Sequence, residues 1–306
     1  MAAPRRPGAE AVAVKGWFAS HRWLLARRVS QATILALFLL GPLAGVWIVK
    51  GNLNFSYTLE LLPLADPYVL LQSLLAGSTP EARALTGAVI VLAFYLLVGG
   101  RVYCSWVCPV NPVTDLAAWL RRRLRIEKSV RISPRVRYWL LGATLALAAA
   151  TGTIAWELVN PVSMLHRGLI FGLGAAWAVV LAVFLFDLLV ARRGWCGHLC
   201  PVGAFYRVVG SCSPVRVRAP RRSRCDDCGD CYLACPEMQV LKPVLKGAQA
   251  GTPPVVLSPE CTNCGRCIDV CPKDVFRFGT RFGRGEDAAQ TTAPAPRAPA
   301  VGADRG

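Results

Sequence analysis

Eight of the 13 cysteines fall into two runs with the same spacing, each followed by proline. The first run is Cys225, Cys228, Cys231 and Cys235, and the second run is Cys261, Cys264, Cys267 and Cys271. Three thiolates spaced in this way can wrap around one iron–sulfur cube, while a helical turn carries the fourth onward. The spacing therefore predicts two [4Fe-4S] clusters.

The two runs resemble those of bacterial two-cluster ferredoxins. The resemblance implies crossed ligation, in which the fourth cysteine of each run binds the cluster of the other run. Cluster 1 would then be held by Cys225, Cys228, Cys231 and Cys271, and cluster 2 by Cys261, Cys264, Cys267 and Cys235. The 25 residues between the runs indicate an inserted loop at 242–254.

Zinc and disulfide bonds are the alternative uses of these cysteines. Zinc sites usually take two cysteine pairs separated by a longer loop, whereas here four cysteines stand within eleven residues, twice. Disulfides are disfavoured if this part of the chain is cytoplasmic, because thiols stay reduced there.

Four further cysteines form two Cys-x3-Cys-Pro pairs, Cys104 with Cys108 and Cys196 with Cys200. Each pair follows an apolar stretch, so the chain contains a weak internal repeat. Spacing of four residues places both sulfurs of a pair on one helical face. The pairs could supply four thiolates to a third cluster or metal, act as redox-active dithiols, or be packing cysteines. Cys212 remains, and we assign it no role.

Three other polar residues are candidates for proton transfer or ligation. Asp187 is the one acid within the apolar windows, Glu157 borders the third window, and His198 lies between Cys196 and Cys200. Glu157 could accept protons from a quinol. For Asp187, a position near the cytoplasmic end of its window favours a hydrated structural carboxylate over a functional acid. None of the three histidines lies within an apolar window, which argues against a membrane haem b.

The elements that position these residues are predicted from four windows without lysine or arginine, at about 29–49, 84–100, 138–156 and 169–191. Such windows approach the length that a helix needs to cross a bilayer. We therefore predict a membrane all-α bundle of four transmembrane helices, followed by an α+β ferredoxin-like domain with two [4Fe-4S] clusters. The first window lacks a cleavage site and is interpreted as an uncleaved helix.

The net charge of +17 is interpreted as a topology signal rather than as a nucleic-acid-binding surface. Of 35 basic residues, 32 lie in segments 1–28, 101–137 and 192–306. The positive-inside rule then places both termini in the cytoplasm of a multi-pass protein of the bacterial inner membrane. Segment 50–84 becomes an outer loop, in which Asp66-Pro67 predicts the start of a helix on the membrane surface or in a plain connection.

This interpretation divides the chain into five parts. They are a cytoplasmic basic arm (1–28), a four-helix transmembrane domain (29–191), a connecting segment with the second Cys-x3-Cys-Pro pair (192–216), a two-cluster ferredoxin-type domain (217–284) and a disordered tail (285–306).

Over nearly its whole length the chain resembles NapH, a family of ferredoxin-type membrane subunits of periplasmic nitrate reductase systems. The stretches that carry the resemblance are 16–24, 41–47, 85–90, 104–112, 156–163 and 194–198, together with the two cysteine runs. The resemblance implies a subunit of a quinol dehydrogenase that takes electrons from ubiquinol or menaquinol. A NapG-type periplasmic iron–sulfur protein is the implied acceptor, with a NapC-type cytochrome and the nitrate reductase as further partners.

Two other functions remain open. Related membrane proteins with both kinds of motif serve nitrous oxide reductase or the assembly of the copper site of cytochrome oxidase. The chain has only three methionines, which mildly disfavours copper handling. In the other alternative the chain is a docking anchor whose clusters are purely structural.

The predicted topology raises a difficulty for electron transfer. All cluster motifs lie on the predicted cytoplasmic side, whereas nitrate would be reduced outside, and no haem ligand lies within a span. Our hypothesis is that the clusters exchange electrons with quinone near the inner face. The mobile quinone, or a partner, would then carry reducing equivalents outward.

Overall fold

The computed structural model describes residues 6–126, 128–130, 132–172 and 174–283, so the predicted disordered tail lies outside the described residues. The chain forms two compact units. The cysteine-rich unit comprises Met1–Leu25, Val215–Leu257 and Gly265–Gly306, and the helical unit comprises Ala26–Pro214 and Ser258–Cys264. Residues 6–25, within the predicted basic arm, thus belong to the cysteine-rich unit.

The described helices and strands follow one another in this order: α1 Ala9–Lys15, α2 Trp17–Ala44, β1 Val49–Gly51, β2 Phe55–Thr58, β3 Leu62–Ala65, α3 Pro67–Leu75, α4 Ala82–Val98, α5 Val110–Arg123, α6 Val136–Thr151, α7 Pro161–Phe171, α8 Ala175–Leu185, α9 Pro201–Val209, β4 Val215–Arg218, α10 Asp230–Ala234, α11 Leu241–Lys246, α12 Arg266–Val270 and β5 Arg277–Thr280. Wide π-helical turns at Tyr103–Val107, Phe186–Val190 and Trp195–Leu199 interrupt the helical unit.

One described helix, α2, is long and apolar enough to cross a membrane. The other three apolar windows coincide with shorter apolar helices at Ala82–Val98, Val136–Thr151 and Trp177–Val190. Their lengths are limited locally, because α4 ends at Gly99 with φ of 113° and α6 ends at Gly152 with φ of 67°. Backbone with positive φ cannot continue a right-handed helix. Of the four predicted spans, therefore, one corresponds to a described helix that is long enough to cross a membrane.

A three-stranded antiparallel sheet corrects the expectation of an all-α domain. Strands β1, β2 and β3 form a meander in which Gly51 pairs with Ser56 and Phe55 pairs with Ala65. In the turn between β1 and β2, the side chain of Asn52 accepts hydrogen bonds from the backbone of Asn54 and Phe55. The strands have three or four residues each, and this shortness explains why the sequence pattern did not reveal them.

Segment 50–84, the predicted outer loop, packs against the helices. Strand β3 lies so close to α4 that a Cβ atom on Gly87 would stand 3.0 Å from the backbone of Ala65. Helix α3 begins as predicted, with Asp66 accepting a hydrogen bond from Tyr68 N at 2.9 Å. Tyr68 and Gln72 are fully buried, so α3 is a packed connecting helix. Asp66 also meets Tyr206 of α9, in the segment that the sequence places on the opposite side.

The cysteine-rich unit is small and mixed in secondary structure. Strands β4 and β5 pair antiparallel. Helices α10, α11 and α12 lie between these two strands in the chain. The predicted inserted loop at 242–254 overlaps α11. At the N-terminus, Gly8 N donates to Asp230 at 2.8 Å, and Trp23 N and Leu24 N donate to Asp269. These hydrogen bonds attach the N-terminal residues to the unit.

Candidate iron–sulfur sites

The thiols of Cys225, Cys228, Cys231 and Cys271 line one small pocket of the cysteine-rich unit. Burial, followed by the neighbouring Cys271, Cys225 and Cys228, raises the pKa of the Cys231 thiol to about 12. Thiolates gathered in this way need a compensating positive charge, which a metal cluster supplies. The residues therefore fit an iron–sulfur cluster, and Cys271 stands where crossed ligation requires it. Ligation by these four thiols stays a prediction.

The backbone adopts the same left-handed conformations at equivalent positions of both cysteine runs. Two residues after the first cysteine of each run, Asp227 and Asn263 have φ of 58° and 46°. One residue after the second cysteine, Gly229 and Gly265 have φ of 81° and 73° and precede short helices. Repeated left-handed residues curl each loop, as a chain that wraps around one cube requires.

The second predicted ligand set is divided between the compact units. Cys261 and Cys264 lie in the helical unit, while Cys267 and Cys235 lie in the cysteine-rich unit. Cys264 and Cys267 are buried, and the other two are partly buried. Their joint ligation of cluster 2 stays a prediction.

The two Cys-x3-Cys-Pro pairs come together in the helical unit. Burial and then Cys104 raise the pKa of the Cys200 thiol to about 12. The pKa of the partly buried Cys108 thiol is raised by burial first and then by Cys104 and Cys200. The pKa of Cys196 is raised by burial first and then by Asp187 and the other three thiols. Each pair lies in or just after a π-helical turn, and Pro109 and Pro201 lead into α5 and α9. The four thiols have the same need for a compensating cation as the first set.

Segment Ser258–Cys264 is hydrogen-bonded to the first Cys-x3-Cys-Pro pair. Ser105 Oγ donates to the Thr262 carbonyl at 2.7 Å, and Trp106 Nε1 donates to the Asn263 carbonyl at 3.1 Å. Arg101 links the segment to the second pair, since it donates to the carbonyls of Glu260 and Cys196 at 2.8 and 3.3 Å. The loop that carries Cys261 and Cys264 therefore lies directly against the paired cysteines.

Arg137 holds the same segment from α6. It donates to the Glu260 carboxylate at 2.7 Å and to the Gly197 carbonyl at 2.9 Å, and its side chain is almost fully buried. Arg207 makes a second ion pair with Glu260. A carboxylate that is largely withdrawn from water is stabilised by such partners, so the partly buried Glu260 anchors the segment.

The other predicted candidates occupy different surroundings. Asp187 is buried and accepts a hydrogen bond from Trp195 N at 2.9 Å, which positions the third π-helical turn, Trp195–Leu199. His198 is partly buried within that turn. Glu157 accepts hydrogen bonds from Asn160 and Ser163 at the start of α7. Among the described residues, no group of three His, Cys, Asp or Glu side chains is arranged as ligands of a single metal ion.

Sequence reasoning missed Asp66 as a functional candidate. Its carboxyl is buried beside Tyr206 and Tyr68, and burial raises its pKa to about 6. The sequence indicates only a helix cap at this position, and a cap is normally exposed. No local signal identifies the tyrosine that covers it, because Tyr206 is 140 residues away.

Comparison with known proteins finds iron–sulfur families over each of the cysteine-bearing regions. Residues 82–127 and 173–222 each match the family described as a 4Fe-4S binding domain, and each match contains one Cys-x3-Cys-Pro pair. Residues 224–275 match a 4Fe-4S dicluster domain. The chain is 50% identical to the ferredoxin-type protein NapH of Escherichia coli, over 92% of this chain and 97% of that protein. NapH of Haemophilus influenzae is 49% identical over the same share of each chain.

This chain belongs to the NapH/MauN family of ferredoxin-type proteins. The methylamine utilization ferredoxin-type protein MauN of Methylorubrum extorquens is 54% identical, over 89% of this chain and 94% of that protein. No solved structure matches the chain. The predicted resemblance to NapH is confirmed, whereas the equally close resemblance to MauN was not expected. As a member of the NapH/MauN family, the chain is a ferredoxin-type iron–sulfur electron-transfer protein.

Proposed function

We propose that the chain is the membrane-bound, electron-transferring subunit of a quinol dehydrogenase. Its electrons come from ubiquinol or menaquinol and go to a NapG-type iron–sulfur partner that serves a periplasmic nitrate reductase. The observation that carries the proposal is the direct packing of segment Ser258–Cys264, with two predicted cluster ligands, against the Cys-x3-Cys-Pro pairs. Redox centres in such contact favour electron transfer over separate structural roles.

The proposed cofactors are two [4Fe-4S] clusters and a third metal or cluster site. The first cluster is held by Cys225, Cys228, Cys231 and Cys271, and the second by Cys261, Cys264, Cys267 and Cys235. The third site uses Cys104, Cys108, Cys196 and Cys200. When bound, such clusters supply one-electron transfer. The surrounding protein contributes burial and hydrogen bonds, such as the Arg101 and Arg137 contacts, that set the charge near the sites.

We also propose four membrane crossings with both termini in the cytoplasm. Support comes from α2 and the three shorter apolar helices, and from the basic residues concentrated in alternate segments. A crossing as short as α4 can be accommodated by flanking arginines, because long basic side chains reach toward the headgroups. Electrons leave through the mobile quinone or a partner, such as a NapC-type cytochrome.

The experiment that tests this function adds decylubiquinol to the purified, iron-loaded chain and follows cluster reduction by EPR under anaerobic conditions. We expect reduced-cluster signals to appear, and we expect Cys264→Ser to lose part of them while Cys212→Ser keeps them. Clusters that remain oxidised with decylubiquinol but accept electrons from dithionite would contradict the quinol role and favour a docking anchor. Copper bound with iron absent would favour copper assembly.

A second candidate is electron transfer in methylamine utilization. It is favoured by the 54% identity to MauN, which is as close as the identity to NapH. The two candidates share the same quinol and cluster chemistry and differ in the terminal partner. Complementation of a napH deletion and of a mauN deletion by this chain separates them, since only the correct partner system restores growth.

A further inference from the structure

The helical unit contains a cavity of about 410 Å³ between α2, the β1–β3 sheet and α4. Its walls are largely apolar, with Phe38 on α2 and Ile90, Val91 and Phe94 on α4. Phe94 is 53% exposed, so the wall of the cavity reaches the surface at the apolar face of α4. The volume falls in the range typical of sites for small molecules. Its lining suits an apolar molecule that enters from lipid.

One end of this cavity is polar. Asp66, Tyr95, Tyr103 and Tyr206 line it there. Tyr68 N and the Tyr206 hydroxyl donate to Asp66 Oδ1 at 2.9 and 3.3 Å. The Val69 backbone N–H also donates to Asp66. A carboxylate has about four lone-pair directions, so Asp66 keeps acceptor capacity for one further donor in the cavity. Burial raises the pKa of Asp66 to about 6, and nearby Glu157 contributes to the rise, so the carboxyl is ionised at neutral pH.

The polar end adjoins the paired cysteines. Tyr103 and Val107 line the cavity and are the first and last residues of the π-helical turn that contains Cys104. The aromatic cluster that includes Tyr103 and Tyr206 also packs against Cys104, Cys108 and Cys200. A molecule held at Asp66 would therefore stand one layer of side chains from the proposed third site.

We propose that this cavity binds quinol, with the Asp66 carboxylate accepting a hydrogen bond from a quinol hydroxyl. The inference rests on the proposed function and adds the location of the site. An apolar cavity with a carboxylate acceptor in its wall matches a ligand that has an apolar tail and a hydroxyl-bearing ring. A phospholipid chain would fill the apolar part but offers no donor to Asp66.

The test measures binding of 2-heptyl-4-hydroxyquinoline N-oxide, a redox-inert quinol analogue, to the full iron-loaded chain in nanodiscs by fluorescence quenching. Val91→Trp fills the cavity and should weaken binding by about tenfold or more, since packed sites do not accept added volume. Val89→Trp is the matched control, because Val89 is 64% exposed on the same helix and does not line the cavity. Ile34→Phe on α2 is a second cavity variant if Val91→Trp does not fold.

Asp66→Asn tests the polar contact, because asparagine keeps the cap to Tyr68 N but lacks the charge. We expect about tenfold weaker binding at neutral pH. Binding to the unaltered chain should weaken as the pH falls through about 6, where Asp66 becomes protonated, and the variant should lose this dependence.

Unchanged binding in both cavity variants would overturn the location alone. Absence of binding to the unaltered chain would instead overturn the quinol step of the proposed function, and a phospholipid that the analogue fails to displace would overturn the occupant.

Discussion

Cys212 provides an internal standard for the other cysteines, because it is exposed and belongs to neither kind of motif. If the Cys-x3-Cys-Pro pairs hold a cluster, the purified chain contains about twelve iron atoms. Cys108→Ser should reduce this to about eight, whereas Cys212→Ser should leave it unchanged. Iron is counted by mass spectrometry against protein concentration. About eight irons in all three proteins would leave the paired cysteines without a cluster.

The charge on Asp66 should reduce stability at neutral and alkaline pH. Burial raises its pKa from 3.8 to about 6, with hydrogen bonds from Tyr68 N and Tyr206 opposing the rise. The folded chain holds the proton to a higher pH than the unfolded chain, so stability falls as the pH rises from about 4 to about 6. A difference of this size corresponds to about 3 kcal/mol.

Asp66→Asn removes this charge, so we expect a higher thermal midpoint than that of the unaltered chain at pH 8 and no difference at pH 4. Glu81→Gln is the control, because Glu81 is an exposed carboxyl of the same segment. Measurement is by thermal unfolding in detergent. An equal rise in the thermal midpoint at both pH values would show that the substitution acts through packing instead of charge.

At the residue scale, the cysteines were predictable from sequence because their chemistry depends on local spacing. Three cysteines with this spacing in one short loop indicate an iron–sulfur cluster even when the fold is unknown. Asp66 was recognised only as a helix cap, which it is. Its second role depends on Tyr206 and on α4, and a contact between residues so far apart in the chain has no local pattern.

The contact between β3 and α4 can be tested with a pair of glycines. A Cβ on Gly87 would meet the backbone of Pro63, Leu64 and Ala65 at 3.0–3.1 Å, and backbone cannot move aside as a flexible side chain can. Gly87→Ala should therefore lower stability by about 1–3 kcal/mol. Gly142→Ala, within α6 and with open space around it, should raise stability by about 0.5–1 kcal/mol. Thermal unfolding of both variants measures the difference, and equal shifts would contradict the close contact.

At the scale of elements, the sequence located the apolar helices but not their breaks. Uncharged windows indicate where helices lie, and the positions at which α4 and α6 end depend on Gly99 and Gly152. Glycine within an apolar window is common, so its presence does not tell whether the backbone adopts positive φ. The strands within 49–65 were not predicted for a related reason. Three or four residues are too few to show the alternation of apolar and polar side chains that marks a strand.

For the whole molecule, the proposed topology predicts where each reporter will be active. Alkaline phosphatase fused after residue 240 should be inactive and a cytoplasmic reporter at the same point active, because 32 of 35 basic residues fall in the segments assigned to the cytoplasm. A fusion within the turn after α3, at residue 79, provides the opposite control. Active phosphatase at residue 240 would place the clusters outside and remove the need for quinone to carry electrons outward.

The membership of residues 258–264 in the helical unit has a consequence for the order of synthesis. Arg101, Ser105 and Arg137 are made early, yet their acceptors at Glu260 and Thr262 leave the ribosome more than 120 residues later. The helical unit therefore cannot complete its hydrogen bonds until nearly the whole chain exists. The second cysteine run must therefore be synthesised before the hydrogen bonds around the first Cys-x3-Cys-Pro pair can form.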